Sequence, residues 1–279
     1  MHIPRFFLTP NEVCTPANPH VGAARTRESL DLQPGETVSV LQSAIINQVR
    51  NVLRLRNGDK VVLLDGTGDI YYCSITSVES SALICLVDQK SKCESDLGPK
   101  VIIGLPLLKG DRFEWALQKL CEIGVHAVVP IETARSVVRI DAKGASNKMI
   151  RWHNILKEAA EQSERGTIPH IVLPKKIDEF ISSFTAGGSS TTAFICAERL
   201  SVTPLKDILL DHACSRTDLL GTADKTIFVL VGPEGGLTES EIGTAVERGF
   251  MPVSLGRRIL RAETAAIISV AQIIWALEN

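Results

Sequence analysis

The sequence lacks any excess of positive charge: 30 lysines and arginines stand against 32 aspartates and glutamates, a formal net charge of −2. That excludes a grip on nucleic acid through bulk charge, so any contact with a polyanion must come from local basic patches. No apolar run reaches the roughly 18 residues needed to cross a bilayer. Pro4, Arg5 and Pro10 interrupt the opening MHIPRFFLTP, so neither a membrane span nor a signal peptide is expected. The seven cysteines, Cys14, Cys73, Cys85, Cys93, Cys121, Cys196 and Cys214, contain no CxxC pair. An odd number without ligand spacing argues against a disulfide framework and a zinc site, and no metal is expected. Reduced core thiols fit a cytoplasmic protein. Internal repeats are also lacking.

What is present is enough apolar residue, 44% of 279, to bury a substantial core, and a length that suits two domains. Residues 1–90 read as a small β-barrel. Glu36–Val40 alternates polar and apolar, Lys60–Leu64 runs into the turn Asp65-Gly-Thr-Gly68, and Ile70–Ile75 and Ala82–Val87 continue the β pattern. One helical stretch lies near Ser43–Leu55. The polar segment Asp88–Lys100 ends in Gly98-Pro99 and reads as a linker.

From residue 98 to 279 strands alternate with helices. Val101–Leu105, Ala127–Ile131, Ala193–Ala197 and Thr226–Val231 are continuous apolar runs, as strands buried on both faces require, and Pro252–Leu255 is a shorter one. Helical spacing runs over Asp111–Gly124, Trp152–Ser163 and Glu263–Leu277, while Gly187–Thr192 reads as a surface loop. The alternation predicts an α/β layer around a mostly parallel sheet.

Two segments carry chemistry. In Thr226-Ile-Phe-Val-Leu-Val-Gly-Pro-Glu-Gly-Gly-Leu-Thr-Glu-Ser-Glu-Ile242 a buried strand meets a glycine loop, and a helix then begins. Thr238 and Glu241 have capping-box spacing, and Leu237 and Ile242 that of a hydrophobic staple. A glycine loop there lies where open α/β sheets bind ligands. It is neither GxxxxGK[ST] nor GxGxxG, so no named phosphate motif applies, and a ligand-free βα turn is equally allowed by local physics. The second segment, Leu255-Gly-Arg-Arg-Ile-Leu-Arg-Ala-Glu-Thr-Ala266, sets Arg257, Arg258 and Arg261 at the start of the last helix. Cations are unfavourable at that end of the macrodipole, which hints at an anionic partner, although a solvated charge run is the plainer reading.

Together these segments resemble the RsmE family of the SPOUT class of methyltransferases, enzymes that methylate N3 of a uridine in small-subunit ribosomal RNA. The resemblance covers nearly the whole chain. It includes Ile3-Pro-Arg-Phe-Phe7, Val52-Leu-Arg-Leu-Arg-Asn-Gly-Asp59, Lys109-Gly-Asp-Arg112, Gln118-Lys119, Glu122-Ile-Gly-Val125, Ala134-Arg-Ser-Val-Val138 and Glu158-Ala-Ala-Glu-Gln-Ser163 as well as the two segments above. One departure stands out: Asn47 and Gln48 occupy positions where the family often carries histidines.

The resemblance implies a SPOUT-type trefoil-knotted parallel sheet with helices on both faces, preceded by a PUA-like, RNA-holding barrel, in a homodimer. It implies S-adenosylmethionine as cofactor, held by Gly232, Pro233, Glu234, Gly235, Gly236, Leu255, Gly256, Ile259 and Leu260, with Leu105 and Pro106 bordering the pocket. Arg261 is the candidate for stabilising charge on the base, and Glu263 or Glu234 for accepting the proton. Arg5, Arg54, Arg56, Arg135 and Arg139 are the expected RNA contacts. Alternation would put Arg54 and Arg56 on one face if that segment were extended. Methylation of a ribose 2′-oxygen or another base, or an assembly factor without catalysis, remain alternatives. A nucleotide-phosphate enzyme is disfavoured because no lysine follows the GPEGG loop.

Overall fold

The computed structural model describes residues 3–9, 12–14, 29–96, 98–140, 142–184, 191–197, 202–215 and 225–278. Two compact units are present, Met1–Asp96 with Ala160–Ile168, and Leu97–Ala159 with Pro169–Asn279. In the first, β1 (Arg5–Phe7), β2 (Val13–Cys14), β3 (Thr37–Val40), β4 (Lys60–Leu64), β5 (Asp69–Val78) and β6 (Leu83–Lys92) form one sheet ordered β1-β4-β5-β6-β3-β2. The edge strands β1 and β2 are close in sequence, so the link from Phe7 to Val13 reaches at most about 20 Å. A flat six-stranded sheet would be about 24 Å wide. The short link therefore curls the sheet, although no pairing of β1 with β2 closes it among the described residues. Phe6, Val13, Val38, Val61, Cys73 and Cys85, one from each strand, share its core.

One expectation fails in this unit, and one condition is not met, for physical reasons. The polar stretch that reads as a linker is strand as far as Lys92, followed by a single 3-10 turn over Glu94–Asp96. Its lysines serve a buried partner: Lys92 and, at 3.3 Å, Lys90 pair with Asp69, which is 6% exposed. Burial opposes ionisation of Asp69, but hydrogen bonds and charge from the two lysines outweigh it and hold the carboxyl below the usual carboxylate range. Nor is the Arg54–Arg56 segment extended. Helix α1 (Ser43–Asn47) widens into a π turn over Gln48–Val52, and the chain leaves it through Arg54 at φ 55°. The Leu55 N–H donates back to the Val49 carbonyl at 2.9 Å, so the alternation argument does not apply there.

The second unit is a parallel sheet of β7 (Lys100–Pro106), β8 (Ala127–Glu132), β9 (His170–Ile171), β10 (Lys175–Lys176), β11 (Thr191–Cys196), β12 (Thr226–Leu230) and β13 (Met251–Val253). The order is β10-β8-β7-β12-β11-β13, with β9 also on β8. Phe228 and Leu230 of β12 join Ile131, Phe180, Ala193 and Phe250 in one core, while Ile227 and Val229, on the opposite face by the two-residue period, are fully buried too. Helices cover both faces. α2 (Arg112–Ile123) packs on α7 (Ala262–Glu278), which also meets β7 and α5 (Leu205–Ser215); α4 (Ile177–Ser183) packs on β8 and α6 (Glu239–Glu247). Gly124 ends α2 at φ 108°, a left-handed cap that favours glycine. α3 (Ala142–Gln162) starts ten residues before the expected Trp152, because its first turns are polar and carry Gly144. The expected loop at 187–190 lies outside the described residues, and Thr191 and Thr192 already belong to β11.

The first unit includes a second stretch of chain, the end of α3 through Ile168, fastened by a buried ion pair. Asp96 Oδ1 meets Arg165 Nε at 3.0 Å with both side chains 7% exposed. The other Asp96 oxygen accepts the N–H groups of Gly166 and Thr167, each at 2.8 Å. Gly166 is needed there, since a Cβ would come within 2.4 Å of the Cys93 Cβ. Asp96→Ala leaves Arg165 buried without its carboxylate and should cost about 3–5 kcal/mol. Urea unfolding measures it, and a loss under about 1 kcal/mol, the range of solvated surface pairs, would contradict the burial.

Candidate functional site

The site is built on the carboxyl ends of the parallel strands. β12 is buried on both faces and ends against β7, where the Val231 N–H donates to Gly104 O at 3.2 Å. Beyond it the chain closes a tight turn, Gly236 N–H to Pro233 O at 2.8 Å, with Gly236 at φ 72°. A Cβ on Gly232 would lie 3.0 Å from Leu237 Cγ, so the close turn depends on glycine at that position. α6 follows with the expected capping box: Glu241 N–H donates to Thr238 Oγ1, and the Glu241 carboxylate accepts from the Thr238 N–H. Leu237 and Ile242 pack on one core cluster, as the staple requires.

A cavity of about 290 Å³ opens beside this turn. Gly232, Pro233, Glu234, Gly236, Ile259 and Leu260 line it, so loops separated by more than twenty residues meet as expected. Cys196 and Ala197 at the end of β11, and Ala262 and Ala265 at the start of α7, add to the wall. Segments following β11, β12 and β13 thus converge on one cavity. The walls are polar and apolar in nearly equal measure, with Arg135, Glu234 and Glu239 adding charge of both signs. That composition suits a small molecule with an apolar body and a charged end.

Other expected residues fall elsewhere. Leu105 is fully buried in β7 and lies outside the lining. Pro106, half-buried Leu255 and exposed Gly256 are outside it too. Gly235 turns its Cα toward Arg135, whose Nη1 donates to the Gly235 carbonyl at 3.0 Å. Arg135, expected on RNA, is therefore part of the cavity wall. Arg261 is exposed next to Leu260. Glu263 is buried, and its Oε2 has no hydrogen-bond partner among the described residues. Glu234 pairs with Arg112 at the start of α2, at 2.9 Å. Arg5 is committed to Glu164 at 2.7 Å, whereas Arg54, Arg56 and Arg139 are exposed. Cys196, Ala197 and the cavity role of Arg135 escape sequence reasoning, because only strand order brings them to β12. Among the described residues no group of three His, Cys, Asp or Glu side chains could hold a metal, and no helix is long and apolar enough to cross a membrane. The six described cysteines are free thiols, while the side chain of Cys214 lies outside the described residues.

Residues 95–274 match the RNA methyltransferase domain family, and residues 49–88 the RNA methyltransferase PUA domain. The chain is 32% identical over 233 residues to the ribosomal RNA small subunit methyltransferase E of Bacillus subtilis, covering 84% of this chain and 88% of that protein. The chain belongs to the ribosomal RNA small subunit methyltransferase E family. A Synechocystis member is 34% identical over 244 residues, covering 88% of this chain and 75% of that protein. The crystal structure of the Neisseria gonorrhoeae member, bound to S-adenosyl methionine, aligns with a TM-score of 0.74 at 29% identity, covering 97% of this chain and 96% of that one. The family membership expected from the motifs holds, and with it the SPOUT-type α/β domain preceded by a PUA-like domain.

Proposed function

We propose that this family member transfers a methyl group from S-adenosylmethionine to N3 of a uridine in small-subunit ribosomal RNA. The observation that carries the reading is the joint lining of one cavity, part apolar and part charged, by the GPEGG turn and the Ile259-Leu260 segment. The fit to the cofactor is favourable. Gly232 and Gly236 leave backbone groups approachable, Ile259, Leu260 and Leu237 offer apolar contact, and Arg135 and Glu239 face a zwitterionic end. When bound, the cofactor supplies an electrophilic methyl carbon on a sulfonium.

The protein's own residues must hold uracil N3 in line with that carbon, take the N3 proton, and stabilise charge shared by O2 and O4. Positioning lowers the barrier by removing orientational freedom before reaction. Arg261 stabilises the developing charge. Glu234, which lines the cavity, or Glu263, with one unpartnered carboxylate oxygen, accepts the proton. The first unit, with exposed Arg54 and Arg56, binds RNA, and exposed Arg139 is an RNA contact of the second. Arg5, held by Glu164, acts structurally. The protein works in the cytoplasm, where its free thiols stay reduced, and as a homodimer, as the family resemblance implies.

Incubation with small subunits lacking the modification, labelled methyl donor and nucleoside analysis should yield N3-methyluridine; label on a ribose oxygen or another base would overturn the assignment. Arg261→Ala should lower kcat about 10²–10³-fold, the usual effect of removing an oxyanion donor. A kcat within twofold of the parent's would remove Arg261 from the chemistry. Charge removal at Arg54 and Arg56 together should weaken RNA binding and reduce the slope of affinity against salt by about two, and an unchanged slope would refute that patch.

A further inference from the structure

Glu241 makes more contacts than a capping box requires. One carboxylate oxygen performs the cap, accepting from the Thr238 N–H at 2.8 Å and its hydroxyl at 2.9 Å. The other accepts the N–H of Ala134 at 2.8 Å, from a loop 107 residues earlier in the chain. That loop follows β8, and β8 and β12 are not neighbours, because β7 runs between them. The two loops therefore share no ladder hydrogen bonds that could set their spacing. Glu241 is 8% exposed, unusual for a carboxylate near a helix start, where solvent is normally at hand.

The residue after Ala134 is Arg135, which lines the cavity and reaches back to Gly235 O. Its turn is braced from inside: the Ser136 hydroxyl accepts the Thr133 N–H at 2.9 Å, and the Ser136 N–H donates to Thr133 O at 3.2 Å. The turn is thus held from one side by Ser136 and from the other by Glu241. We infer that Glu241 is a positioning residue that fixes the distance between the Thr133–Ser136 turn and the Gly232–Leu237 turn, and so presents Arg135 to the cofactor. This inference rests on the S-adenosylmethionine reading of the cavity. Glu241 touches no reacting atom and acts through Arg135.

Glu241→Gln separates the two tasks. A glutamine has one acceptor oxygen, so if it keeps the cap it turns an NH₂ toward the Ala134 N–H, and two donors face each other. Losing a hydrogen bond to a charged group should raise the Kd for S-adenosylmethionine about tenfold, with KM following and kcat within twofold. Arg135→Ala should weaken binding similarly, and the double variant should be little worse than Arg135→Ala alone, because the two act in series. Ser136→Ala loosens the same turn without touching α6, and should also weaken binding if Glu241→Gln folds poorly.

Calorimetry with S-adenosylmethionine and amide exchange at Ala134 in the free protein distinguish the outcomes. Weaker binding with faster Ala134 exchange and a non-additive cycle supports the inference. Unchanged affinity in both Glu241→Gln and Ser136→Ala, or additive effects with Arg135→Ala, overturns it. Should the unmodified protein take up no S-adenosylmethionine at all, the functional reading fails. The tie is then still judged by Ala134 exchange alone: acceleration in Glu241→Gln supports it and an unchanged rate overturns it.

Discussion

A strand buried on both faces must hand over its backbone hydrogen bonds when it leaves the sheet, and the end of β12 is where this fold meets that demand. Residues 226–230 are paired on both sides, by β7 and by β11, so the chain beyond them must turn within a few residues or strand polar groups among apolar side chains. Glycine at positions 232 and 236 permits the turn, and the Thr238–Glu241 capping box satisfies the start of α6 immediately after it. The concavity beside the turn follows from that geometry.

Parallel sheets place every strand's carboxyl end along one rim, and the second unit uses that rim four times. β8, β11, β12 and β13 each deliver residues to the same neighbourhood, although the chain reaches them far apart in sequence. The chemistry arises from their meeting, with charge of both signs set at the edge of an apolar wall.

Legibility in the sequence tracked the range of the interaction responsible. The alternating and continuous apolar runs place β3, β4, β7, β8, β11 and β12, because burial on one or two faces writes a local pattern. Thr238 with Glu241, and Gly124 at the end of α2, are readable for the same reason: a cap is a contact between near neighbours. The distal half of β6 was hidden, since its lysines look like a solvated linker until Asp69 is seen beneath them. Leu105 lies at the carboxyl end of β7, but its side chain belongs to the core, which an apolar run alone does not disclose. Arg135 was legible as a cation but not as part of the cavity, because its position depends on strand order and on a carboxylate 107 residues away.

The Asp96–Arg165 staple has a consequence for how the molecule is made. The first unit takes its last segment from residues that follow α2, β8 and most of α3 in the chain. During synthesis the amino-terminal sheet emerges early, yet Asp96 stays without its partner until more than sixty further residues have left the ribosome. Completion of the earliest-born unit thus waits on the middle of the protein, so the two halves cannot mature as independent beads on a string. The order of birth and the order of completion differ in this chain.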